Sequence, residues 1–115
     1  MDRLFVPLKT EPFQWFRSGK KKWELRGISS QFNRDTVVPS RSVELRKGYN
    51  GESIWGIVDC VETFGSLESV VDNLDFRAII PPTETRGGFL SRAKELLSGY
   101  DEFIAFRVLI EDKEK

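Results

Sequence analysis

Three consecutive lysines, Lys20, Lys21 and Lys22, run straight into Trp23-Glu24-Leu25-Arg26. On a β-strand successive side chains point to opposite faces, so Trp23 and Leu25 share one face while Lys22, Glu24 and Arg26 share the other. The apolar pair can enter a core while a carboxylate is held between cations on the opposite surface. A cleft that handles a polar ligand needs that arrangement, whereas a buried sheet face does not. An exposed strand with a solvated face would show the same alternation, and spacing alone does not separate the two.

These residue types support three kinds of chemistry. A lysine desolvated at a cleft floor has its ammonium disfavoured and can act as a base or nucleophile near neutral pH, while a nearby carboxylate favours the charged form. Lys21 and Glu24 are therefore the candidate catalytic pair if the chain is an enzyme. The plain alternative is a surface ion pair worth under about 1 kcal/mol. Arg26 offers a planar fork that binds phosphate or carboxylate at two points or stacks on a base, unless it merely pairs with Glu24. Arg17, Lys20, Lys21, Lys22 and Arg26 fall within ten residues, a positive patch of phosphate size. Among Trp15, Trp23, Tyr49, Trp55 and Tyr100, most read as core. Tyr49, in a turn, is the best exposed candidate for stacking on a base, a contact worth about 1–3 kcal/mol.

Composition removes other chemistries. The 115 residues include no His and one Cys, which excludes Ser-His and Cys-His catalysis and leaves no zinc site of the usual ligands; no metal and no cofactor are expected. Cys60, alone, builds no disulfide framework, suits a reducing compartment and reads as a small buried apolar residue in the strand-like run 54–61. No run of about 18 apolar residues marks a membrane span, and the charged N-terminus lacks the apolar stretch of a signal peptide, so a cytoplasmic location is expected. Net charge is zero, yet residues 1–50 hold eleven Lys and Arg against five Asp and Glu, and residues 51–115 hold seven against thirteen. Such asymmetry suggests an anionic partner for the basic half, unless the two halves interleave and pair.

The elements that must position these residues are those of one domain spanning 1–115. Residues 4–8 read as a short strand. Residues 12–18 read as a helix with Thr10 as a possible cap, Pro12 in its first turn, Phe13 and Phe16 on one side, and Gly19 ending it in the left-handed conformation. Segments 22–26, 42–46, 53–62 and 102–110 alternate as strands, with an Asn-Gly turn signal at Asn50-Gly51. The last of these is apolar on nearly both faces, broken only by Arg107. Leu67, Val70, Val71 and Leu74 form a helical stripe, and 89–97 reads as another short helix. Residues 27–41 form a long polar loop, and 81–88 should hold no regular structure.

Gly19-Lys20-Lys21, followed by Glu24 and Arg26, resembles the Gly-x-Lys-Thr-x-Glu-x-Arg signature of ASCH domains, within the PUA-like superfamily. The order strand, helix, motif and closing apolar strand resembles that family over almost the whole chain. Two positions differ: Lys22 replaces the usual Thr, and Val38-Pro39-Ser40-Arg41 stands where a Gly-Asp turn often occurs. The resemblance implies an α+β fold, a β-barrel of about five or six mostly antiparallel strands with two or three peripheral helices. It also implies RNA or a nucleotide or nucleoside as partner, bound in a basic cleft around the Gly-x-Lys-x-x-Glu-x-Arg motif. Arg17, Lys20, Lys21, Lys22, Glu24, Arg26 and Tyr49 are the expected contacts. The alternative is a small hydrolase using Lys21 and Glu24. It would be either an amidohydrolase on a modified nucleoside, where the family's hydroxyl position is Glu24 here, or a ribonuclease doing lysine and carboxylate acid-base work on the 2′-hydroxyl. The second prediction of the motif is geometric: Lys21, Glu24 and Arg26 share one cleft walled by the 27–41 and 81–88 loops.

Overall fold

The alternating segments form strands because each has one face to bury and β5 has two. In a computed structural model that describes residues 2–111, the elements run β1 (Leu4–Leu8), α1 (Thr10–Arg17), β2 (Trp23–Gly27), β3 (Ser42–Lys47), β4 (Ser53–Phe64), α2 (Leu67–Asn73), a single 3₁₀ turn (Phe76–Ala78), α3 (Arg86–Leu96) and β5 (Phe103–Ile110). The five strands make one curved sheet in the order β1-β3-β4-β5-β2. Only the β1–β3 pairing is parallel. The result is an α+β half-barrel with three helices, whose open seam lies between its edge strands β1 and β2.

Strand β5 divides the interior. Ile104, Phe106 and Val108 enter one apolar cluster with Val6, Leu8, Phe13, Phe16, Val43 and Leu45. Phe103 and Ala105 enter a second with Leu25, Val70, Ile79, Ile80 and Phe89 under α2 and α3. Leu109 and Ile110, expected to be covered, are about 40% exposed. Opposite Arg107 the register slips between Val58 and Cys60. That bulge leaves Cys60 half-buried, not buried as its apolar neighbours suggest.

The cap of helix α1 falls one residue before the expected one: Lys9 is the N-cap, without a side-chain hydrogen bond, and Thr10 is already helical. Gly19 stops the helix with φ +82°, a conformation glycine adopts without the Cβ penalty. Positive φ in the β3–β4 turn falls on Gly48, not on Asn50-Gly51. The segment expected to lack regular structure ends inside α3, where the Thr85 hydroxyl caps the helix by accepting from the Gly88 N–H. The 27–41 loop is tied down. Phe32 and Val37 are buried, and the Asn33 side chain donates to the Ser29 carbonyl while accepting from the Asp35 and Thr36 amides. Among the described residues, no helix is long and apolar enough to cross a membrane.

Candidate functional site

The stop at Gly19 determines where the three lysines go. Immediately after it, the Lys20 and Lys21 amides both donate to the Trp15 carbonyl at 3.0 Å, and the Lys22 amide donates to the Ala78 carbonyl at 2.8 Å. The chain is thus folded back against α1 and clamped by the 3₁₀ turn. Lys20 and Lys22 remain exposed, while Lys21 turns inward to 6% exposure. There its ammonium donates to the Ile79 carbonyl at 2.6 Å, lies 3.4 Å from Glu24 Oε1 and sits over the Phe16 ring.

Glu24 is the centre of the cluster. On β2 its side chain is directed oppositely to Leu25, and it is 5% exposed. Its other oxygen, Oε2, accepts from Arg26 Nε at 2.5 Å. Arg26 also donates from Nη2 to the Pro7 carbonyl at 3.0 Å and places its guanidinium carbon over Phe32, 4.7 Å from the ring centroid. The Arg26–Pro7 bond spans the open seam, joining edge strand β2 to edge strand β1. Nε and Nη2 are thus committed within the protein.

Burial pushes the Lys21 ammonium below its ordinary pKa, Arg26 adds to the effect, and Glu24 opposes it. Burial acts to raise the Glu24 carboxyl, but Arg26 and then Lys21 overcome this and hold it below the usual carboxylate range. One carboxylate therefore serves two basic side chains in a largely dry position.

Above it opens a cleft of about 1260 Å³, bounded by the end of β1, the start of α1, β2, the β3–β4 turn and the end of α3. Its lining includes five cations (Lys9, Lys21, Arg26, Lys47 and Arg92) against two carboxylates, Glu11 and Glu24. Tyr49, 70% exposed, and Tyr100, 45% exposed, stand among the lining residues with Trp15 and Phe32. Tyr100 is set by Gly27: a Cβ at that position would lie 2.0 Å from the ring's Cγ, so the ring rests on bare backbone.

Lys21, Glu24, Arg26 and Tyr49 thus meet in one cleft. Arg17 and Lys22 instead line a smaller cavity behind it, and Lys20 lines neither. The 27–41 loop contributes Gly27, Ser29, Gln31 and Phe32 to the cleft, whereas 81–88 contributes nothing and its place is taken by Ile79 and Ile80. Charge asymmetry between the halves is partly cancelled in space, since Arg17 and Lys47 of the first half approach Glu52 of the second. Lys9, Lys47, Arg92 and Tyr100 escape a reading of the motif, because they come from four separate segments. Only the Gly99-Tyr100 helix stop hints at one of them.

A second buried carboxylate lies outside the motif. Glu44 on β3, 2% exposed, receives Arg3 Nε at 2.9 Å, Arg46 Nε at 2.8 Å and the Ser53 hydroxyl at 2.6 Å. Although burial alone would raise its pKa, these donors hold it down to about 2. Arg46 in turn donates to the Tyr49 carbonyl, so this cluster fixes the turn that carries Tyr49. Among the described residues, no group of three or more His, Cys, Asp and Glu could hold a metal ion.

No protein-family model matches the chain, and no curated protein matches it in sequence. Solved structures do match in shape. Hypothetical protein PH0355 aligns with a TM-score of 0.78 over 93% of this chain and 97% of its own, at 14% identity. Protein PF0455 from Pyrococcus furiosus aligns with a TM-score of 0.71 over 97% and 99%, also at 14% identity. The ASCH protein from Zymomonas mobilis aligns with a TM-score of 0.64 over 91% of this chain, at 14% identity, and this chain spans 65% of its length. In overall shape the half-barrel described above matches the ASCH fold.

Proposed function

We propose that this domain binds RNA, or a nucleotide or nucleoside, in the cleft floored by Lys21, Glu24 and Arg26. The observation that carries the reading is the combination of cations and tyrosines around that floor. Arg26 lines the cleft, Lys9 and Lys47 add charge, and Tyr49 and Tyr100 are large and exposed at its rim. Bases stack on exposed rings whatever their sequence, while cations hold the phosphates. The cleft exceeds the span of about 300–1,000 Å³ usual for small-molecule pockets, which favours a strand segment over an isolated nucleoside.

A hydrolase built on Lys21 and Glu24 has one observation in its favour, the lowered pKa of a buried lysine. The hydrogen bonding opposes it. Lys21 is held by Ile79 and Glu24, and both Glu24 oxygens face cations, so neither group is poised to take a proton. Titration of intrinsic tryptophan fluorescence with oligouridylate and with uridine at two salt concentrations tests the reading. Binding that weakens steeply with salt supports it. Absence of binding at low salt, together with turnover of an acylated nucleoside that stops in K21A, would move the assignment to the hydrolase.

A further inference from the structure

Helices cover the sheet unevenly. On the inner face, Phe13 and Phe16 of α1 pack with Val43 and Leu45. On the outer face, Val70 of α2 and Phe89 of α3 pack with Phe64, Phe103 and Ala105 at one end. The other end carries the side chains that alternate with the inner set, among them Phe5, Glu44, Trp55, Ile57 and Leu109. Strand register sets Phe5 beside Glu44 and Glu44 beside Trp55, so these three form one row across β1, β3 and β4. Adjacent strands lie about 4.8 Å apart, which puts the two aromatic residues roughly 10 Å from each other. Trp55 is 40% exposed although β4 is the middle strand of the sheet.

Two guanidinium groups frame this row. Arg3 and Arg46 lie over the Phe5 ring, 5.7 and 5.1 Å from its centroid, and both hold the Glu44 carboxylate. One carboxylate for two arginines leaves a surplus positive charge. Arg41, just before β3, adds to it: its guanidinium donates to the Asp2, Arg3 and Thr36 carbonyls and forms no ion pair among the described residues. The row also reaches the cleft. The Phe5 and Tyr49 ring centroids are 6.0 Å apart, and Tyr49 lines the cleft. Aromatic rings set among arginines on an open sheet face match single-stranded RNA, whose bases stack on rings and on guanidinium planes while its backbone follows the positive charge. A protein partner would gain from Trp55, Ile57 and Leu109, but would have to desolvate arginines that outnumber their carboxylates.

We propose that the outer sheet face at Phe5 and Trp55 is a second contact surface for single-stranded RNA, continuous with the cleft across Tyr49. It rests on the cleft reading for the class of ligand. A strand held in the cleft leaves it over Tyr49 and lays its next bases on Phe5 and Trp55, with the charge of Arg3, Arg41 and Arg46 beside its phosphates. The ligand is thereby an oligonucleotide, and a lone nucleotide occupies the cleft without reaching the face.

The test follows the indole N–H signals of the ¹⁵N-labelled protein, assigned with W15F, W23F and W55F. Trp15 lines the cleft, Trp55 reports on the outer face, and Trp23, packed against the cluster under α2 and α3, is the control. Uridine 5′-monophosphate should move Trp15 alone. An oligouridylate of about eight nucleotides should move Trp15 and Trp55 together, with one saturation curve. W55A should weaken the oligouridylate at least about fivefold and leave the mononucleotide within about twofold, which also shows that the variant keeps its fold. W55F retains a ring and should recover most of the loss. Oligouridylate binding that moves Trp15 but not Trp55, or that W55A leaves within about twofold, overturns this surface and leaves the cleft standing. Shifts at Trp55 with Trp15 unmoved by either ligand overturn the cleft reading and leave the face with its RNA. A Trp55 shift on raising the protein concentration without RNA, shared by the Leu109 amide, assigns the face to a second copy of the chain and overturns the proposal.

Discussion

Replacing Glu24 by Gln tests whether the cluster at the cleft floor is an electrostatic unit. The substitution keeps the side-chain shape but leaves Lys21, 6% exposed, with a buried ammonium and no carboxylate. At the observed 3.4 Å separation, the lost attraction is about 5 kcal/mol at an effective dielectric constant of about 20. Relief of the Glu24 desolvation offsets part of it. A ceiling exists because Lys21 can discharge instead. Giving up its proton at pH 7 costs about 1.4 kcal/mol for each unit below its ordinary pKa of 10.5, or about 5 kcal/mol in all. E24Q should therefore lose about 3 kcal/mol, the usual cost of breaking a buried pair from one side. By urea unfolding followed through tryptophan fluorescence, that is a midpoint lowered by about 2 M for a slope of about 1.5 kcal/mol/M. The pH dependence has a definite sign. With Lys21 depressed further in the folded variant, the unfolded chain binds more protons between that lowered value and 10.5, so E24Q should regain stability relative to wild type as pH rises. K21M/E24Q, with no stranded charge, should recover at least about 2 kcal/mol. A midpoint shift under about 0.5 M, flat from pH 6 to 9, would show that water reaches Lys21 and refute the reasoning.

Glu44, with its pKa depressed from 4.5 to about 2, contributes stability that is present above pH 4.5 and lost as pH falls towards 2. The full linkage is about 3 kcal/mol, reduced to about 1–2 kcal/mol by the solvent around both guanidinium partners; E44Q should lack this acid-limb loss in urea unfolding at stepped pH. Tyr49→Ala should leave stability within about 0.5 kcal/mol yet weaken oligouridylate binding about fivefold or more, as read by fluorescence titration. Gly27→Ala, by displacing the Tyr100 ring, should weaken the same binding as much as Y100A, and G27A/Y100A should lose no more than either alone. K9A/K47A should weaken binding to all sequences alike and lower the slope of log Kd against log salt by about one to two units.

Strands and helices were largely legible because their apolar residues recur at the spacing each element requires. Residues 4–8 are the observed β1, and the Glu24–Leu25 alternation correctly separates core from cleft on β2. Periodicity carries no signal for the bulge at Asp59, which moves Cys60 and Arg107 without any change of residue pattern. Nor does it reveal the 3₁₀ turn that supplies the Ile79 carbonyl to Lys21, an acceptor 58 residues away. Spacing could place Lys22, Glu24 and Arg26 on one face but could not turn Lys21 inward. That turn depends on the Trp15 carbonyl capturing two successive amides. The cleft's remaining cations are brought together by tertiary folding alone.

Both free edges of the sheet come from the first 27 residues, and they sit at opposite ends of the strand order. β1 pairs only with β3, and β2 pairs only with β5, the last strand made. During synthesis Glu24 must therefore wait for Phe106, its register partner. Such distant pairings make folding slow and leave the waiting strand open to other chains. Positive charge on an unpaired strand discourages edge-to-edge association. The exposed Lys20 and Lys22, beside an inward Lys21, thus give the nascent chain a guarded edge until β5 arrives, a task finished before any ligand is met.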